Sequence, residues 1–230
     1  MAQLYLVGTH HLDINGHERL EKFFDFIKPD CIGLESTAEA FERRIQDHKE
    51  LALELPLLKS MLKSNYSTEA IENIIKYLQM FGYECVASSE FSQKNPETKL
   101  VFCDVHNPKL LREATREVFG KLVDESYKIT PDLMDALAET DFQEFQRIID
   151  ASYNDTSVKE LEKKAKYFRA LTIDRDEKTE EKIREALKET DNNLAYIGGL
   201  LHFFGDYPNL YDRLRDLNPV RIRLSELDKL

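Results

Sequence analysis

Two segments far apart in the chain share one pattern, and that pattern limits the folds open to it. Leu4-Tyr5-Leu6-Val7-Gly8-Thr9-His10-His11 is a short apolar run that reaches a glycine, with a histidine three residues later. Leu194-Ala195-Tyr196-Ile197-Gly198-Gly199-Leu200-Leu201-His202 does the same. A short, continuous aliphatic run fits a strand buried on both faces of a parallel sheet. Glycine suits a tight turn because it tolerates positive φ. Each segment therefore reads as strand, turn and first helical turn, with His11 and His202 at the carboxyl ends of their strands. In open α/β sheets, that edge is where ligands bind.

Two further runs end on chemically active side chains. Cys31-Ile32-Gly33-Leu34 leads into Glu35, and Leu100-Val101-Phe102-Cys103 leads into Asp104, with His106 two residues on. If these four strands are parallel neighbours, His11, Glu35, Asp104 or His106, and His202 meet on one edge as an acid/base or metal constellation. Between them the spacing is helical. Leu20, Phe23, Phe24 and Ile27 form a stripe that ends at Pro29-Asp30. Ser36-Thr37-Ala38-Glu39 is a capping-box start, and Pro56 is expected to break the helix it opens. Gly82-Tyr83-Glu84 reads as a turn and Cys85–Ala87 as a brief strand. Asn107-Pro108 and Thr156 or Ser157 mark further helix starts, and Thr172–Asp176 an interruption. Val220–Leu224 reads as a last, edge strand with alternating arginines. The expected fold is α/β, a single domain over residues 1–230. A small, mainly parallel central sheet (1–106 and 191–230) is flanked by helices, with an all-helical insertion over 107–190.

Composition narrows the partners. The chain has 230 residues, 42% hydrophobic and 33% charged, with a net charge of −11. No basic excess is present to neutralise phosphates, so neither nucleic acid nor an anionic membrane is an expected partner. No basic stretch followed by an apolar one opens the chain, so no signal peptide is expected. The longest uncharged run, Asn192 to Gly205, falls short of the roughly 20 apolar residues of a membrane span. A cytoplasmic protein is the expectation, with oligomeric state open. Cys31, Cys85 and Cys103 are dispersed, with no CxxC pair, and read as core thiols.

Each candidate has an ordinary reading beside the functional one. A lone histidine at a strand end is commonly a structural hydrogen-bonding group, but two in matching contexts favour function. A helix start disfavours imidazolium, and the neutral ring it leaves suits a metal ligand or general base. Glu35 either complements the next helix N-terminus or serves as ligand or base. Asp104 is otherwise a loop residue, and His106 a cap beside Asn107. Arg175, between Asp174 and Asp176, is either a surface ion-pair residue or a cation reaching the edge to hold a carboxylate or oxyanion. Neither GxGxxG nor GxxxxGK[ST] is present, so a nucleotide site is not expected.

Taken in order, several pieces resemble the TraB/TIKI family, whose wider relatives include erythromycin-esterase-like and ChaN-like proteins. LVGTHHLD at 6–13 resembles its first GxxH strand, and PDCIGLE at 29–35 its strand ending in glutamate. Gly82-Tyr83-Glu84 resembles its Gly-x-Glu element, and VFCDVH at 101–106 its strand ending in aspartate. DRDEKTEEKI at 174–183 resembles its Arg-Asp helix, and IGGLLHFFG at 197–205 its second GxxH. Val105 and His106 stand where that family usually has arginine. The resemblance implies a metal-dependent hydrolase or peptidase. His11, Glu35 and His202 would be the metal or catalytic residues, with Arg175 in support and Glu84, Asp104, His106, Gly8 and Gly199 as further candidates. Histidine–carboxylate ligation suits zinc, manganese, cobalt or nickel, and the substrate would be a peptide or a small molecule. Two competitors remain: a metal-free hydrolase with His11 as base oriented by Glu35, and a binding or regulatory protein without turnover.

Overall fold

The computed structural model describes residues 2–104, 131–155 and 173–229. Strands β1 (Gln3–Thr9), β2 (Cys31–Leu34), β3 (Lys99–Phe102), β4 (Asn193–Gly199) and β5 (Val220–Arg223) form one sheet in the order β3-β2-β4-β1-β5. Every pairing is parallel. The fold is thus the α/β arrangement expected, with helices on the sheet's faces. β5 takes the edge position its alternating arginines suggested.

The two glycine–histidine strands, β1 and β4, are direct neighbours in the middle of the sheet. Gly8 is opposite Gly198 and Thr9 opposite Gly199. Their matching patterns therefore end side by side. The strands divide their side chains by the two-residue alternation of a pleated sheet. Val7, Ile32, Ala195 and Ile197 join Leu20, Phe23 and Phe24 of helix α1 (Gly16–Ile27) in one core. Leu4, Leu6, Leu194 and Tyr196 pack on the other face, against Ile183 of helix α7 (Ile173–Lys188) and Leu210 of helix α9 (Leu210–Arg213).

Between β2 and β3 come helices α2 (Ala38–Leu62), α3 (Thr68–Met80) and α4 (Tyr83–Lys94). Thr37 caps α2 and Ser67 caps α3, each accepting from a backbone N–H with its hydroxyl oxygen. Three expectations are corrected here. Pro56 lies inside α2 without dividing it. The Ala52 position, whose carbonyl a residue at 56 would otherwise bond, is exposed, so water can serve that carbonyl. Cys85–Ala87 is not a strand, because α4 runs through it, and of the turn expected at Gly82-Tyr83-Glu84 only Gly82 stays outside the helix. Gly82 precedes α4 at φ 70°, a left-handed conformation that favours glycine.

Helices α5 (Pro131–Ala138) and α6 (Phe142–Ser152) belong to the expected helical insertion, while α7 lies against the sheet itself. Of the interruption expected at 172–176, Thr172 lies outside the described residues and Ile173–Asp176 are helical, within α7. The helix starts expected at Asn107-Pro108 and at Thr156 or Ser157 lie outside the described residues. So does His106. After β4 comes the one-turn helix α8 (Leu201–Phe204). No described helix is long and apolar enough to cross a membrane.

Helices α1 and α4 meet at Gly16. A Cβ there would lie 2.3 Å from the Tyr83 ring, which is 1% exposed. Gly16→Ala is expected to destabilise the fold by about 2 kcal/mol through overpacking. Urea unfolding checks this, and a change below about 0.5 kcal/mol would show that the ring can step aside.

Candidate functional site

The edge formed by the carboxyl ends of β2, β4 and β1 gathers most of the expected side chains. Glu35 directly follows β2. Its Oε2 accepts from the Gly199 backbone N–H at 2.6 Å, and its Oε1 lies 3.2 Å from His202 Nε2 and 3.1 Å from Arg175 Nη2. Arg175, in the first turn of α7, also holds Asp104 Oδ1, at 2.7 Å from Nη2 and 2.9 Å from Nε. Arg175 therefore reaches the sheet edge, where it holds the Glu35 and Asp104 carboxylates. Asp104 N bonds to Ser36 O, so the ends of β2 and β3 are tied together beneath the guanidinium.

His202 sits in α8, buried to 8% exposure. Its Nδ1 donates to Asp176 Oδ1 at 2.5 Å, so its ring lies between the Asp176 and Glu35 carboxylates. Asp176, 1% exposed, was not among the expected site residues, and its Oδ2 has no hydrogen-bond partner among the described residues. His11 lies in the loop after β1 rather than in a helical turn, since α1 starts only at Gly16. Its Nδ1 donates to Glu84 Oε1 at 2.7 Å, and Thr9 Oγ1 donates to the same oxygen at 3.1 Å. Glu84 is thus brought to the site from the first turn of α4. The His11 loop is pinned on both sides. Tyr83 OH donates to His10 O at 3.1 Å, and His10 N donates to Tyr153 OH at 3.0 Å.

Gly199 is the point on which these groups converge. A Cβ there would be 3.4 Å from both Glu35 Oε2 and His11 Nε2, and 3.6 Å from His202 Cδ2. Gly8 lies beneath, where a Cβ would meet Leu200 Cδ1 at 2.9 Å. Neither glycine has positive φ; among the described glycines, only Gly82 does so. The strand glycines are therefore explained by close approach, not by the left-handed turn expected of them.

The electrostatics also depart from expectation, because helix starts were expected to keep both rings neutral. Burial opposes a charge on His202, but Glu35 and Asp176 outweigh it and raise the pKa to about 10. The crowded edge likewise opposes charge on His11, but Glu84 raises it to about 9. With 64% of its side chain exposed, His11 gains less from its pairing than buried His202, because solvent screens it. Burial pushes Glu35 up, but His202, Arg175 and His11 hold it well below the usual carboxylate range. Close carboxylates outweigh a helix-end dipole, whose influence is of order 0.3–1 kcal/mol. All three cysteines are buried and free, and burial raises Cys85 and Cys103 to about 12, which fits core thiols.

This sets a pH signature for the metal-free protein. His202 has a folded pKa above its ordinary value, so its pairing contributes fully below about pH 6.5 and is lost as pH rises through about 10. Between pH 7 and 10.5 the melting temperature of chelator-treated wild type should fall about 5 °C further than that of His202→Gln. Equal falls would mean that the ring carries no such charge.

The donor chemistry fits a divalent cation. Two imidazoles, each with Nδ1 fixed by a carboxylate, offer Nε2 beside an anionic Glu35, and such backing carboxylates are typical of ligating histidines. The spacing does not yet enclose an ion. Among the described residues, the trio of His, Cys, Asp or Glu donors lying within 4.8 Å of one another is elsewhere, at His17, Glu21 and Glu90. Binding at the sheet edge requires Glu35 and His202 to exchange their direct contact for the ion. Comparison with family models, curated proteins and solved structures gives no match for this chain.

Proposed function

We propose that the chain is a metal-dependent hydrolase of peptide or ester bonds, working at the carboxyl edge of β1, β2 and β4. The observation that carries this is the convergence on Gly199 of Glu35 and two carboxylate-backed histidines. His11 Nε2, His202 Nε2 and Glu35 would hold the ion, which supplies Lewis acidity and an acidified water when bound. Glu84 and Asp176 keep the protons on Nδ1, leaving Nε2 of each ring as the donor. Glu35 suits an anionic ligand better than a general base, since Arg175 beside it, and the ion when bound, would hold its proton affinity down. Arg175 positions Glu35 and Asp104.

A metal-free reading is favoured by one observation: His202 carries a carboxylate on each nitrogen, as an ion-paired imidazolium would. In that reading His11 is the base and Glu84 its orienting group. Its rate would rise with pH toward about 9, where His11 loses its proton.

Metal analysis of protein purified without chelator separates the two. We expect wild type to hold one equivalent of metal that His11→Ala/His202→Ala loses, and turnover of peptides or esters to stop with chelator and return with zinc, manganese or cobalt. Chelator-resistant turnover that rises toward pH 9 would instead establish the metal-free reading.

A further inference from the structure

Outside that edge, one cluster has metal-ligand chemistry. His17 and Glu21 lie one turn apart on α1, so both side chains share a face. Glu90 meets them from α4. His17 Nε2 is 3.1 Å from Glu90 Oε2, and His17 Nδ1 is 3.6 Å from Glu21 Oε2. One donor atom from each residue lies within 4.8 Å of the other two. Their side chains are 34–42% exposed, so an ion can enter from solvent. Lys94 contacts Glu21 through the other oxygen, Oε1, at 3.3 Å, leaving Oε2 to the cluster.

We propose that His17, Glu21 and Glu90 form a second divalent-metal site that cross-links α1 to α4. One imidazole and two carboxylates without thiolate suit zinc, cobalt, nickel or manganese, whereas magnesium and calcium favour all-oxygen sets. Three protein donors leave further positions for water. The donors sit on helices locked together at Gly16 and Tyr83, so little ordering is needed on binding. The bridge has a structural consequence for the sheet edge. The loop before α1 carries His11, and the first turn of α4 carries Glu84, so an ion here would hold the helices that bring these two together.

The test isolates this cluster from the sheet edge by titrating zinc alone, then magnesium alone, into His11→Ala/His202→Ala and into the same protein with His17→Ala added. The proposal expects one zinc equivalent in the first, a rise in its melting temperature, and binding about tenfold or more weaker after His17→Ala. It expects no comparable magnesium response. Should the His11/His202 variant fail to fold, Glu21→Gln/Glu90→Gln in the wild type should lower zinc stoichiometry by one. No zinc binding, or binding indifferent to His17, Glu21 and Glu90, would overturn the site and leave a plain hydrogen-bonded histidine. Because different residues are altered, that failure is separate from failure of the hydrolase proposal.

Discussion

Arg19→Met should lower the melting temperature by about 10 °C, the largest loss of stability expected from one substitution in this chain. Arg19 is 2% exposed and Asp13 is fully buried, and Arg19 Nη1 donates to Asp13 Oδ2 at 2.6 Å. The same guanidinium donates from Nε to Asp228 at 2.8 Å and from Nη2 to Asp150 at 3.0 Å. It thereby ties α1 to α6 and to the C-terminal 3-10 turn, Leu224–Lys229. Removing the cation leaves Asp13 buried with, among the described residues, only neutral donors, from Tyr153 OH, Gln146 Nε2 and Asn15 N. An orphaned buried charge costs about 3–5 kcal/mol, which for a chain of this size is roughly 10 °C. Asp150 and Asp228 are 41% and 52% exposed, so losing either alone should cost less than about 1 kcal/mol. Arg19→Met/Asp13→Asn should recover part of the loss, because both charges leave together. A single Arg19→Met variant that melts within about 2 °C of wild type would show that Asp13 is not a stranded charge.

Neither half of this network could be read from the sequence. Asp13 ended a recognisable segment but gave no sign of its partner, and Arg19 stood in an ordinary amphipathic helix. Their pairing depends on the angle at which α1 leaves β1, which only tertiary packing fixes. The sheet was more legible. Leu4–Val7 and Cys31–Leu34 are short apolar runs bounded by turn residues, as strands buried on both faces require, and Leu100–Phe102 shares the pattern although β3 is a half-buried edge strand. The histidine echo anticipated that β1 and β4 end on one edge because the same local pattern was repeated. Cys85–Ala87 misled for the converse reason. Helix α4 is buried nearly all round, so its small and apolar residues lose the 3.6-residue period and a fragment of it reads as strand. Asp176 was hidden in the charged run from Asp174 to Glu181, where nothing distinguishes one acidic residue from the next. Its one usable signal was adjacency to Arg175 in the first turn of a helix aimed at the sheet edge. Arg175 itself was flagged by type, but its partners Glu35 and Asp104 emerge only once β2 and β3 are seen to pair.

His202→Ala should lower turnover of any peptide or ester that the protein hydrolyses by about a thousandfold, the largest effect on activity expected from one residue. Both readings of the site depend on this ring. With an ion bound it is a ligand, and without one its cation lies between Glu35 and Asp176 and sets the field at the edge. The substitution also removes a buried positive partner from both carboxylates, so folding must be checked by melting before the rate is interpreted. Asp176→Asn is the more informative companion. Asparagine can keep an acceptor oxygen toward Nδ1–H but carries no charge, so the ring orientation survives while Nε2 becomes a weaker donor to an ion. We expect a tenfold to hundredfold loss of metal affinity, of about that size, with the fold intact. A rate loss in Asp176→Asn without weaker metal binding would assign Asp176 to the charge balance of an imidazolium and support the metal-free chemistry. If His202→Ala retained near-wild-type turnover, the sheet edge would not be the reaction site, and the convergence on Gly199 would be structural alone.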